Sequence, residues 1–147
     1  MNGRFLLDTS ILSLFAPGRT GLPETTMSQL RAREASVYIC AITPMEIEQG
    51  IAKLLRSDDG KPRAEALERW LVATLEEFAS RLLPFDVTCA RAAGRLSDHA
   101  MAIGRHPGFA DIAIAATAGV HDMVLVTRNT KHFEKLGITY FDPFEPR

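Results

Sequence analysis

Three carboxylates lie far apart in the chain, Asp8, Glu46 and Asp111, and each stands where an apolar stretch begins or ends. Asn129 follows a fourth such stretch. Gathered in one place, these groups would form an all-oxygen cluster, and clustered carboxylates repel one another at low local dielectric unless a cation or a proton intervenes. Mg²⁺ and Mn²⁺ suit such donors, polarise phosphoryl oxygens and make bound water a stronger nucleophile. The chemistry favoured is phosphodiester hydrolysis. Each acid also has an ordinary structural role open to it. Asp8 can be the N-cap of a following helix, Thr43-x-x-Glu46 matches a capping box, and Asp111 in a first helical turn is favoured by the macrodipole.

The elements that must position these residues are legible as an alternation of strands and helices. Arg4–Leu7 is a strand too uniformly apolar to face water, the pattern of a parallel sheet covered on both faces. A compact turn or short helix, Ser10–Phe15, and a Pro/Gly loop precede a helix over Glu24–Arg33. Ser36–Ile42 is a second strand. Thr43-Pro44-Met45-Glu46 opens a helix whose apolar face carries Ile47, Ile51, Leu54 and Leu55. After the polar loop Ser57–Pro62, the best insertion site, an amphipathic helix buries Trp70 and Phe78. Arg81–Phe85 is a third strand, and Asp86 or Thr88 caps a helix to about Ile103. An alanine-rich helix runs from Phe109 to Ala118, a fourth strand over Met123–Thr127, a helix over Asn129–Leu136 and a fifth strand over Ile138–Phe141.

Such alternation implies a parallel α/β sheet with right-handed crossovers, where ligands bind outside the carboxyl ends of the strands. Asp8, Glu46 and Asn129 each follow a strand and belong at that edge. Asp111 joins them because its helix feeds strand four through a short loop, so it runs antiparallel to the strands and starts at their carboxyl edge.

Composition sets the frame. A chain of 147 residues fits one domain, residues 1–147, with 46% hydrophobic and 24% charged residues, near globular averages. No run approaches the roughly 20 apolar residues of a membrane span, and no targeting segment is evident, so a cytoplasmic protein is expected. Cys40 and Cys89 form no C-x-x-C pair and read as small buried hydrophobes. A net charge of −1 gives no global pull on nucleic acid, so RNA contact would need a local patch, for which Arg128, Lys131 and Lys135 are candidates. His99, His106 and His121 share no metal spacing, and His132 reads as a group on an exposed helix face or bonded to a neighbour.

Four segments, Leu6-Leu7-Asp8-Thr9-Ser10, Pro44-Met45-Glu46-Ile47, Phe109-Ala110-Asp111-Ile112-Ala113-Ile114-Ala115-Ala116 and Val126-Thr127-Arg128-Asn129-Thr130-Lys131-His132-Phe133, together resemble PIN-domain ribonucleases, and more closely the VapC toxins of type II toxin–antitoxin pairs. The resemblance covers nearly the whole chain. It implies a three-layer PIN-like fold, a central parallel β-sheet of about five strands flanked by helices, and a Mg²⁺-dependent endoribonuclease, with Mn²⁺ as an alternative ion. Asp8 and Asp111 would be the principal metal ligands, and Glu46 would orient a metal or its water. Thr9 and Thr127 would be hydroxyls near Asp8, and Asn129 would support the site. The implied partners are RNA, a cognate VapB-type antitoxin and a second copy of the chain. Many relatives carry an acid three residues after that Asn, where this chain has His132, which implies three acids rather than four. Two other readings remain beside it. One is a phospho-receiver-like signalling domain using Asp86, Thr127 and Lys131, although a receiver needs an acidic pair where this chain has Asp8-Thr9. The other is a catalytically idle PIN-like binding module.

Overall fold

The computed structural model describes residues 3–145. Five strands, β1 (Phe5–Leu7), β2 (Val37–Cys40), β3 (Leu82–Leu83), β4 (Val124–Val126) and β5 (Tyr140–Phe141), form one sheet in the order β3-β2-β1-β4-β5. All neighbouring pairs are parallel, with Leu6 opposite Tyr38 on one side and Leu125 on the other. The strands are apolar throughout because both faces are covered. Phe5, Leu7, Val37, Ile39 and Val126 pack toward Ile47, Ile51, Leu71 and Phe78, whereas Leu6, Cys40 and Leu125 pack toward Ala113, Ile114, Ala115 and Ala118.

The first face is covered by α1 (Thr9–Leu12), α2 (Glu24–Ala32), α3 (Ile42–Leu55) and α4 (Lys61–Glu77), the second by α5 (Val87–Ala102) and α6 (Phe109–Val120). Helix α6 is the innermost, with every residue from Ile112 to Ala118 buried. Its alanines let it lie close to the sheet on one side, while Ile112 and Ala116 meet Ala93 and Ala100 of α5 on the other. This helix returns to β4 through residues 121–123, so Asp111 in its first turn lies at the carboxyl edge.

Several boundaries differ from the sequence expectation. Strand three shrinks to two residues because Pro84 follows it and offers no N–H to a ladder. The expected helix over Asn129–Leu136 is a single 3₁₀ turn, Thr130–His132, and Lys135 (φ 63°) and Gly137 (φ 74°) then take left-handed backbone, which ends any helical run. Helix α3 starts at Ile42, not after Thr43, and Leu55 is 57% exposed rather than part of the apolar face. Asp86 is the cap of α5, accepting the Cys89 N–H at 3.0 Å. The receiver reading is overturned by the topology. Asp86 follows an edge strand and already caps a helix, while the site implied by the sheet order lies at β1 and β4.

The loop joining α3 to α4 is open at Asp58 and Asp59 but closed at Gly60, where an added Cβ would collide with the Leu54 carbonyl and the Ser57 hydroxyl. Gly60→Ala should cost about 1–3 kcal/mol by overpacking, and Asp59→Ala less than about 0.5 kcal/mol. Urea unfolding of the two variants checks this, and equal midpoints would contradict the packing described.

Candidate active site

Strand order reverses between β1 and β4, because the chain steps from β1 outward to β2 and β3, then crosses back to β4 and β5. In open parallel sheets that switch point leaves a crevice at the carboxyl edge. Asp8 fills it from the end of β1. Its backbone N–H donates to the Val126 carbonyl at 2.9 Å and its carbonyl accepts from Ile11 and Leu12, which fixes the residue as the first turn of α1 begins. Although Asp8 occupies the N-cap position, its carboxylate makes no capping bond across α1. Instead Oδ2 accepts the Thr127 hydroxyl at 2.7 Å and the Ser10 hydroxyl at 3.0 Å. Asp8 is 2% exposed.

Glu46 does not close a capping box. Helix α3 has Ala41 at its N-cap with no side-chain capping bond, and Glu46 Oε1 accepts the Thr9 hydroxyl at 2.5 Å. Thr9 and Thr43 hydroxyls lie 2.9 Å apart. Since the single Thr9 proton goes to Glu46, Thr43 is the donor in that pair, and a relay runs Thr43 to Thr9 to Glu46. Thr9 thus serves Glu46 with its side chain rather than Asp8, a correction to the expectation. Asp111 Oδ2 meets His132 Nδ1 at 2.6 Å, with side-chain exposures of 19% and 48%.

The electrostatics bind these acids into one cluster. Burial pushes the Asp8 carboxyl above its ordinary 3.8, the Thr127 and Ser10 hydroxyls pull it back, and Asp111 pushes it up again. Glu46 is also raised, by burial first, opposed by Thr9, with Asp8 and Asp111 adding to the rise. Among the described residues no Lys or Arg forms an ion pair with any of the three. Nor do three or more His, Cys, Asp or Glu side chains there form a ready-made metal cage. The donors that hold the cluster are hydroxyls, the Thr9 backbone N–H and one imidazole, with no Lys or Arg among them in the described residues. An all-oxygen set of this kind fits Mg²⁺ or Mn²⁺, which are usually held by one or two carboxylates with retained waters and need no full cage.

Of the other expected residues, Thr127 is fully buried and bridges Asp8 to the Asn129 N–H, which donates to its hydroxyl at 3.0 Å. Asn129 therefore reaches the site through its backbone; its side chain is exposed. Arg128 lies at the same edge with its guanidinium stacked 4.1 Å over the Phe144 ring, and Lys131 is exposed. Cys40, at the end of β2, has its thiol pushed up to about 11 by burial and stays a neutral hydrophobe; both cysteines are free and buried. Ser10 and Thr43 are the site residues that sequence reasoning missed, and His132 was read at the fourth-acid position but without its bond to Asp111. Two hydroxyls directly after Asp8 were the available signal for Ser10. Thr43 was hidden by its capping-box spacing, and nothing local marks His132 as a partner of Asp111, 21 positions away.

An acidic cleft at the switch point of a parallel sheet ordered 3-2-1-4-5, with a buried inner helix delivering one of the acids, defines a class of three-layer α/β proteins built around a charged carboxyl edge. Within that class, the family model described as PIN domain matches residues 5–138, and the chain belongs to that family. It is 34% identical over 140 residues to Toxin FitB of Neisseria gonorrhoeae, covering 95% of this chain and 97% of the relative. To VapC ribonuclease Y4jK of Sinorhizobium fredii it is 36% identical over 111 residues, 76% of this chain and 77% of that one. Among solved structures, FitAcB from Neisseria gonorrhoeae superposes with a TM-score of 0.75 at 33% identity, covering 97% of this chain and 99% of that chain. Among the described residues no helix is long and apolar enough to cross a membrane.

Because burial and mutual repulsion raise Asp8 and Glu46, the fold favours their protonated forms. Their contribution to stability is fully present below the ordinary values of 3.8 and 4.5 and is lost as pH rises through the raised ones. In EDTA, the melting temperature of Asp8→Asn relative to the unaltered protein should therefore climb in the variant's favour between about pH 4 and pH 7. A gap that stays constant across that range would show that the Asp8 charge carries no such cost.

Proposed function

We propose that this protein is the toxin of a type II toxin–antitoxin pair and acts as a Mg²⁺-dependent endoribonuclease. The observation that carries the reading is the cluster of Asp8, Glu46 and Asp111 at the switch point, paired with no Lys or Arg among the described residues, in a chain similar to a protein named Toxin FitB and another named VapC ribonuclease Y4jK. Asp8 and Asp111 would hold the ion. When bound, Mg²⁺ or Mn²⁺ polarises a phosphoryl oxygen and strengthens a water as nucleophile. Glu46, held by Thr9 with its carboxyl raised, would accept a proton from the attacking water and orient it toward phosphorus. Thr127 and Ser10 keep Asp8 in place, and the exposed Lys131 and the stacked Arg128 would meet RNA phosphates at the rim.

The reading extends to partners. A VapB-type antitoxin and a homodimer are proposed on the strength of the relatives. An open apolar groove of about 440 Å³ between α2 and α4, lined by Leu12, Phe15, Met27, Leu30, Trp70 and Phe78, supports docking of an amphipathic antitoxin segment.

Purified protein should cleave single-stranded RNA in Mg²⁺ and stop in EDTA, and Asp8→Asn should lower the rate by at least about 100-fold. Cleavage by Asp8→Asn at the unaltered rate would contradict the mechanism, and absence of any Mg²⁺-dependent thermal shift in the unaltered protein would favour the idle binding module. Size exclusion of the chain alone and with the product of its neighbouring reading frame should give a dimer and a larger complex; a monomer indifferent to the neighbour would count against the pairing.

A further inference from the structure

The three acids share one mode of attachment. Asp8 takes both of its hydroxyl donors on Oδ2, Glu46 takes Thr9 on Oε1, and Asp111 takes His132 on Oδ2. A carboxylate gripped by side chains through one oxygen is oriented by them and keeps its second oxygen clear of side-chain donors. The grip on Asp111 is as short as that on Asp8, 2.6 Å against 2.7 Å, the latter within and the former just below the distances of charge-assisted hydrogen bonds of their kinds.

His132 is also held in place from several sides. Phe133 beside it is 1% exposed and anchors the 3₁₀ turn in the core. Arg105 donates to the Lys131 carbonyl at 2.6 Å and pairs with Glu134 at 3.2 Å, while the His99 ring lies 3.3 Å from the Lys135 carbonyl. Arg105 belongs to the short loop that leads into α6, the helix bearing Asp111. Loop, turn and carboxylate thus form a closed ring, in which Arg105 fixes the turn and the turn presents the imidazole.

We infer that His132 is a positioning residue whose Nδ1–H holds Asp111 Oδ2 and leaves Oδ1 to a divalent cation, the part Thr127 plays for Asp8. The inference rests on the metal-centred reading proposed above. His132 stands where that reading expects a fourth acid, so the position supplies a donor to a ligand instead of a further ligand. Outer partners of this kind typically account for about 10–100-fold in metal affinity.

The test is Mn²⁺ binding to the purified full chain by titration calorimetry at one fixed pH, with unfolding in EDTA as the control for fold. His132→Ala should weaken Mn²⁺ by about 10–100-fold while leaving the EDTA melting temperature near that of the unaltered protein, since the imidazole is half exposed. His132→Asn, whose amide N–H can stand where Nδ1–H does, should restore most of the affinity. Unchanged or tighter binding by His132→Ala overturns the inference, tighter binding meaning that the imidazole competes with the ion. An Asn variant as weak as the Ala variant overturns it too. Loss of Mn²⁺ in Asp111→Asn with none in His132→Ala sinks only the positioning role. Failure of the unaltered protein to take up Mn²⁺ removes the metal reading and this role together.

Discussion

A carboxylate sealed at the end of the central strand is the constraint on which the rest of this structure depends. An isolated buried charge is costly, and the side chains that relieve Asp8 are hydroxyls, with no Lys or Arg paired to it among the described residues. One of those hydroxyls, Thr127, directly follows β4, so the relief exists only if β4 pairs with β1 in the observed register, Leu7 opposite Val126. The other comes from Ser10 in the first turn of α1, so the chain must turn into a helix directly after the strand. Sheet order, strand register and the first helix are thereby tied to one side chain.

The cleft's acids are held without a lysine or arginine partner among the described residues. An arginine beside Asp8 would lower its proton affinity and cancel the charge, and the site would then be a structural ion pair. Hydroxyl donors orient the acids without cancelling them, and the acids continue to raise one another. The cluster keeps a standing attraction for a proton or a small hard cation. The phosphoryl-cleaving site proposed above would require that property, and holding the acids so close comes at the expense of stability.

The alternating elements were legible because each strand is a short apolar run and each helix carries its own period, and the convergence of Asp8, Glu46 and Asp111 followed from topology alone. Local spacing misled where tertiary contact took over. Thr43 and Glu46 have the spacing of a capping box, yet Thr43 is fully buried against Thr9 and the helix begins two residues earlier than that box requires. The Asn129–Leu136 segment has helical composition, but Phe133 packing and the left-handed backbone at Lys135 and Gly137 confine it to one turn. The His132 contact with Asp111 could not be read from either segment, since it depends on how that turn is pinned to the loop before α6.

The bond between Thr127 and Asp8 joins residues 119 positions apart. During synthesis the first strand, its buried acid and Glu46 all emerge long before the strand that shelters Asp8, and α6 with Asp111 only shortly before it. The cleft is consequently among the last features of the molecule to come into being, and a growing or interrupted chain carries the acids but not the enclosure that gathers them. Long-range closure of this sort slows folding. Until β4 has left the ribosome, Asp8 lacks the Thr127 hydroxyl that holds it.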